Sequence, residues 1–144
     1  MATPYTEIYD FFLSKVTDYS FIDESIYATQ EELEKELNKY LRSAIVRFKE
    51  SKTSLERDVE NNQFIQDLSD EEKEILSLYM IQLYLTPKIL STEKMESRLT
   101  DRDYREYSQA KQLEQMRQLK KDMQLELSQL VSVYSYSSGL SGLN

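Results

Sequence analysis

Ser69-Asp70-Glu71-Glu72-Lys73-Glu74-Ile75-Leu76-Ser77-Leu78-Tyr79-Met80-Ile81-Gln82-Leu83-Tyr84-Leu85-Thr86-Pro87 is the stretch that decides the fold. Its first four residues have capping-box spacing, in which Ser69 and Glu72 satisfy each other's backbone donors, and its early carboxylates sit where the helix dipole favours negative charge. From Ile75 to Leu85 apolar side chains fall on nearly every side of the helix. A helix that is apolar all round is buried all round, so this one is expected at the centre of a bundle, packed by the others. Residues before proline avoid α geometry. That predicts a stop near Thr86, with Pro87–Leu90 forming at most a further turn after a kink.

Upstream, Thr29-Gln30-Glu31-Glu32 is a second capping box. Behind it Leu33, Leu37, Leu41, Ala44, Ile45 and Phe48 keep one face apolar, which predicts a helix over 30–50. Nearer the start, Thr3 as N-cap and Pro4 at the first helical position open a helix over 4–16. Tyr5, Ile8, Phe12 and Val16 stripe it, and the turn-like cluster Asp18-Tyr19-Ser20 ends it.

Downstream, Asp103 to Ser132 contains neither glycine nor proline, and Leu113, Met116, Leu119, Met123, Leu127, Leu130 and Tyr134 step by three or four. Such a helix spans about 45 Å. That is more than the shorter helices cover, so part of it is expected to project beyond the bundle or to meet another chain. The period then changes: Val131-Ser132-Val133-Tyr134-Ser135-Tyr136-Ser137 alternates as a strand does, and Ser138-Gly139-Leu140-Ser141-Gly142 reads as a flexible end. The expected architecture is all-α, a single helical bundle over 1–132 with a long C-terminal helix. It is followed by an extended C-terminal arm over 133–144, which either frays or becomes ordered on a partner by strand addition or by seating Tyr134 and Tyr136 in pockets.

Composition narrows the chemistry. The 144 residues include neither cysteine nor histidine, so a disulfide, a thiol nucleophile, an imidazole base and the usual zinc ligand sets are excluded. The two glycines, Gly139 and Gly142, both lie near the end, and without others there is no phosphate-cradling loop. A net charge of −8 argues against a bulk nucleic-acid binder, whose footprint is basic. No apolar run is long enough for a transmembrane helix, and no apolar h-region follows Met1, so secretion is not expected.

Residues 56–74 are acid-rich: Glu56, Asp58, Glu60, Asp67, Asp70, Glu71, Glu72 and Glu74 stand against Arg57 and Lys73. They read either as a solvated loop with the acidic first turn of a helix, or as a charged surface facing something. An EF-hand needs a glycine at its sharp turn, and a bundle di-metal site needs Glu-x-x-His ligands. Neither exists here, so no metal, no cofactor and no catalytic residue is expected. Of eleven tyrosines, Tyr40, Tyr79 and Tyr84 fit core-edge packing. Tyr104, Tyr107, Tyr134 and Tyr136 lie off the strongest core stripes and are interface candidates. Arg117, Lys120 and Lys121 form a patch too small for a DNA-binding face.

The segments Pro4-Tyr5-Thr6-Glu7-Ile8-Tyr9-Asp10-Phe11-Phe12, Leu41-Arg42-Ser43-Ala44-Ile45-Val46-Arg47-Phe48 and Leu68-Ser69-Asp70-Glu71-Glu72 belong together with three more. These are Tyr84-Leu85-Thr86-Pro87-Lys88-Ile89-Leu90, Asp103-Tyr104-Arg105-Glu106-Tyr107-Ser108 and the tyrosine-serine end. Taken over about 4–138, the pattern resembles the small helical head-tail connector proteins (adaptors, or head completion proteins) of tailed bacteriophages of Gram-positive hosts. The resemblance implies a homo-oligomeric ring, typically twelve-fold, that docks on the portal protein of the virion and presents a surface to a downstream connector (stopper) or tail protein. Such a ring extends the DNA channel, and it assembles in the host cytoplasm without a membrane partner. It further implies that the C-terminal segment, here Val133, Tyr134, Tyr136 and Leu140, engages the portal. Tyr104 and Tyr107 are then candidates for contact between subunits, and Glu56, Asp58, Glu60 and Asp67 for acidic residues facing a channel through which DNA passes unbound. A small acidic helical regulator or assembly chaperone would use the same bundle and is the competing expectation.

Overall fold

The computed structural model describes residues 2–16, 29–98 and 103–142. In chain order the elements are β1 (Thr3–Pro4), α1 (Tyr5–Val16), α2 (Gln30–Arg47), β2 (Arg57–Asp58), β3 (Gln63–Phe64), α3 (Asp70–Arg98) and α4 (Asp103–Gly142). The turn expected at Asp18-Tyr19-Ser20 lies outside the described residues.

The central helix is α3, which packs against α1, α2 and α4. Ile75, Leu76, Leu78, Met80, Ile81 and Leu85 are fully buried along it, each stabilising the fold by about 1.5–3 kcal/mol through removal from water. Its capping box closes as the sequence predicts: Ser69 Oγ accepts from the Glu72 N–H at 3.1 Å, and Glu72 Oε1 accepts from the Ser69 N–H at 2.9 Å. At the start of α2, Thr29 Oγ1 accepts from the Glu32 N–H at 3.1 Å. From α1, Tyr5, Ile8, Tyr9, Phe12 and Val16 enter the core, and from α2, Leu33, Leu37, Leu41 and Ala44, with Phe48 just past its end.

Three expectations are corrected. The predicted stop before Pro87 does not occur, and α3 continues through it to Arg98. Leu85 and Ile89, one turn apart on either side of the proline, are both buried in the core, and their burial outweighs the local preference against α geometry at Thr86. The Thr86 hydroxyl donates back to the Gln82 carbonyl at 2.7 Å within the same turn. Next, residues 133–142 are not an extended arm but the continuation of α4. The serine–apolar alternation carries helical spacing as well, because Leu127, Leu130 and Tyr134 step by three and four along the bundle, and burial follows that period.

Finally, a small antiparallel sheet of order β1-β3-β2 accompanies the helices. Thr3 lies in it instead of capping α1: its hydroxyl donates to the Gln66 carbonyl at 3.0 Å and accepts from the Leu68 N–H at 2.8 Å. The β2–β3 turn manages without glycine, because Asn62 takes the left-handed φ of 52°, a conformation asparagine tolerates better than other residues with a β-carbon. No helix among the described residues is long and apolar enough to cross a membrane.

Candidate interaction surface

The long helix α4 has two apolar faces. Its inner face carries Leu113, Met116, Leu119, Leu127 and Tyr134, all buried, with Met123 and Leu130 partly so. It lies antiparallel to α3, since Arg117 pairs with Glu93 at 2.7 Å, Gln82 Nε2 donates to the Lys120 carbonyl at 3.0 Å, and Tyr134 reaches Glu72. With Tyr134 level with the first turn of α3, the last turns of α4 run past the start of its partner helix. The helix expected over 103–132 is therefore matched along its length by α3, and the part that runs past it is 135–142, which was expected to be an extended arm.

Tyr134 was expected to lie free for a partner; it is instead an internal link. Its ring packs on Phe48 with centroids 5.6 Å apart. Its hydroxyl donates to Glu72 Oε2 at 2.6 Å and accepts from the Lys52 N–H at 2.7 Å. Glu72 is 2% exposed and also accepts from the Thr53 hydroxyl at 3.0 Å, the Thr53 N–H at 3.3 Å and the Ser69 N–H. Burial by itself raises the Glu72 carboxyl pKa. The hydrogen bonds from Tyr134, Ser69 and Thr53 outweigh it and hold the group below its ordinary value. Burial, followed by the bond to Glu72, pushes the Tyr134 hydroxyl up. The cluster fastens three segments: the loop 51–53, the start of α3 and the end of α4. Sequence reading identified Glu72 as a cap but carried no signal for its tyrosine partner, because proximity across 62 positions is a property of the fold.

The outer face carries Leu125, Val133 and Tyr136, which are 61%, 60% and 69% exposed. At about 100° per residue these three lie within roughly 80° of one another, Leu125 and Tyr136 facing away from the inner row and Val133 at its margin. Leu140 falls on the same row by spacing, and its side chain lies outside the described residues. From Leu127 to the end of α4 the sequence contains no charged residue. Val133 and Tyr136 therefore stand in an uncharged stretch among serines, whereas Leu125 lies apart from them beside Asp122 and Glu126, with Gln129 between.

The other candidates divide. Tyr104 and Tyr107 lie in the first turns of α4, with side chains outside the described residues. Tyr40, Tyr79 and Tyr84 are half-buried, as core-edge packing requires. Tyr84 meets both Phe12 and Tyr40 edge-on at 5.6 Å, and burial pushes its hydroxyl up to about 12. In the acidic stretch Glu56, Glu60 and Asp67 are exposed. The Asp58 carboxylate turns into its own hairpin, accepting from Asn61 Nδ2 at 2.7 Å, and that bond draws its pKa down. No group of three or more carboxylates among the described residues could hold a metal ion.

Comparison with known proteins adds no relative: no family model, no curated protein and no solved structure matches this chain.

Proposed function

We propose that the chain is a head-tail connector (adaptor) subunit, one member of a ring that docks on a phage portal and carries the DNA channel toward a stopper or tail protein. The observation that carries this reading is the outer row of α4. Leu125, Val133 and Tyr136 are large, apolar and exposed on a helix whose opposite face is fully used by the bundle. A helix end that runs past its own bundle and exposes Val133 and Tyr136 in an uncharged stretch is suited to lie in a groove of a larger partner. The resemblance of the sequence segments quoted above supports a portal protein as that partner. The docking residues are then Val133, Tyr136 and Leu140, displayed on a helix, with Tyr134 holding that helix in place from inside. The exposed carboxylates Glu56, Glu60 and Asp67 suit a channel wall, since DNA slides past a surface that offers its phosphates no cation row.

The test is capture from native lysate with the full chain against the Val133→Ser/Tyr136→Ser variant, which leaves Tyr134 intact. Portal protein should be recovered with the unmodified chain and lost with the variant. Recovery of a regulator or enzyme without any capsid component would overturn the connector reading in favour of a regulator or chaperone.

A further inference from the structure

Away from α4 two surface regions differ in charge. Lys35, Lys39, Arg42 and Val46 recur at steps of four, three and four along α2, and all four are exposed, Val46 at 71%. This is one row of the helix, and it makes a basic face on a chain of net charge −8. Beside it, Arg42 and Arg57 line two adjoining cavities of about 220 and 360 Å³, the first of which is also lined by Val59, 69% exposed. Lys39 is paired with Glu36 at 3.0 Å, and no salt bridge engages Arg42 or Arg57 among the described residues.

The opposite sign gathers between α1 and the start of α3. Glu7, Asp10 and Asp70 line a cavity of about 420 Å³ with Phe11 and Ser14. Its cation, Lys73, is already engaged by Glu7 at 2.8 Å and by Asp70 at 3.6 Å. Asp67 and Glu71, both exposed, extend the acidic side. The acidic cavity and the two basic ones share no lining residue, so one chain can present both faces at once.

We infer that these two faces meet: the basic face of α2, with Arg42, Val46 and Val59, docks into the acidic groove of Glu7, Asp10, Phe11 and Asp70 on a second copy of this chain. Three observations favour a second copy as the occupant. The cations that line one face, Lys39, Arg42 and Arg57, answer the carboxylates that line the other, Glu7, Asp10 and Asp70. Apolar groups line both, Val46 and Val59 on one and Phe11 on the other. A contact between two different faces of one chain is also of the type that propagates head to tail and closes into a ring when its rotation allows. The inference deepens the ring reading, and rests on it for closure but not for the contact itself.

A charge-exchange experiment tests it. Asp10→Lys/Asp70→Lys alters the acidic groove, and Lys39→Glu/Arg42→Glu alters the basic row. All four positions are exposed, and circular dichroism checks that each variant keeps its helices. By sedimentation at low ionic strength and high protein concentration, the unmodified chain should self-associate, and added salt should weaken that association. Each variant alone should associate about tenfold more weakly or worse. An equimolar mixture of the two should recover association, because each altered face then meets an altered complement. Failure of the unmodified chain to associate, or of the mixture to recover, overturns the assignment of these faces. Portal capture in the preceding experiment is read separately: capture without charge-exchange rescue removes the faces and keeps the connector, and rescue without capture does the reverse.

Discussion

Tyr134 and Tyr136 are two residues apart on one helix and chemically identical, yet one is 5% exposed and the other 69%. Two residues along an α-helix is a turn of about 200°. That takes the first ring into the core and leaves the second in solvent. Tyr134 reaches backbone and carboxylate groups 82 and 62 positions away in the chain, while Tyr136 extends an apolar row that the bundle leaves uncovered. Residue type therefore says little about role at this end of the molecule. Which side of α4 a residue occupies says nearly everything.

The contrast can be broken most severely on the inner side. Leu119→Ala removes a side chain that is 1% exposed and should destabilise the fold by about 2–5 kcal/mol, read as a lowered urea midpoint with an unchanged slope. Leu125→Ala, on the outer side of the same helix, should stay within about 0.5 kcal/mol of the unmodified chain. Equal losses at the two positions would mean that both faces are packed.

A smaller effect is expected at the polar cluster. Tyr134→Phe keeps the ring on Phe48 but leaves the Lys52 N–H without its acceptor and Glu72 short of a donor, at a cost of about 1–3 kcal/mol. The pH dependence has a definite sign. Because the folded-state pKa of Glu72 is lowered from 4.5, its contribution is complete above that value and is lost as the pH falls below it through the folded pKa. The melting temperature of the unmodified chain should therefore fall more steeply with acid than that of Glu72→Gln. Parallel curves would mean that the carboxylate is not held in its charged form.

The smallest effect on stability is expected where the effect on docking is largest. Val133→Ser/Tyr136→Ser should change the melting temperature by no more than a degree or two, since neither side chain is in the core, while abolishing partner capture. A large loss of stability would move these residues to the inner face and end their candidacy.

Much of this architecture was legible in the sequence because it is written locally. The caps at Thr29 and Ser69 use groups three residues apart, and the inner row of α4 from Leu113 to Tyr134 follows a single period. The misreadings share one cause: a local signal was outweighed by contacts from distant segments. Pro87 marks a helix end until Leu85 and Ile89 are seen to share the core. Thr3 matches an N-cap, yet its hydroxyl is taken by Gln66 and Leu68. The alternation after Val131 fits both a strand and a helix row, and burial of Leu127, Leu130 and Tyr134 selects the helix. The exposed row of α4 was half legible. The helical period that places Tyr134 with Leu127 and Leu130 was present in the sequence, but reading 131–137 as a strand hid that Val133 and Tyr136 fall on the other side of the same helix.

Glu72 also sets an order in which the fold can close. The Ser69 and Thr53 bonds join Glu72 to groups within 19 positions of it, whereas the Tyr134 hydroxyl lies 62 positions on. Closing the shorter loops costs less chain entropy, so the helix cap and the loop 51–53 can gather around the carboxylate before α4 docks. A chain cut before Tyr134 would keep the Ser69 cap but lose the group that bridges the Lys52 N–H to the buried carboxylate.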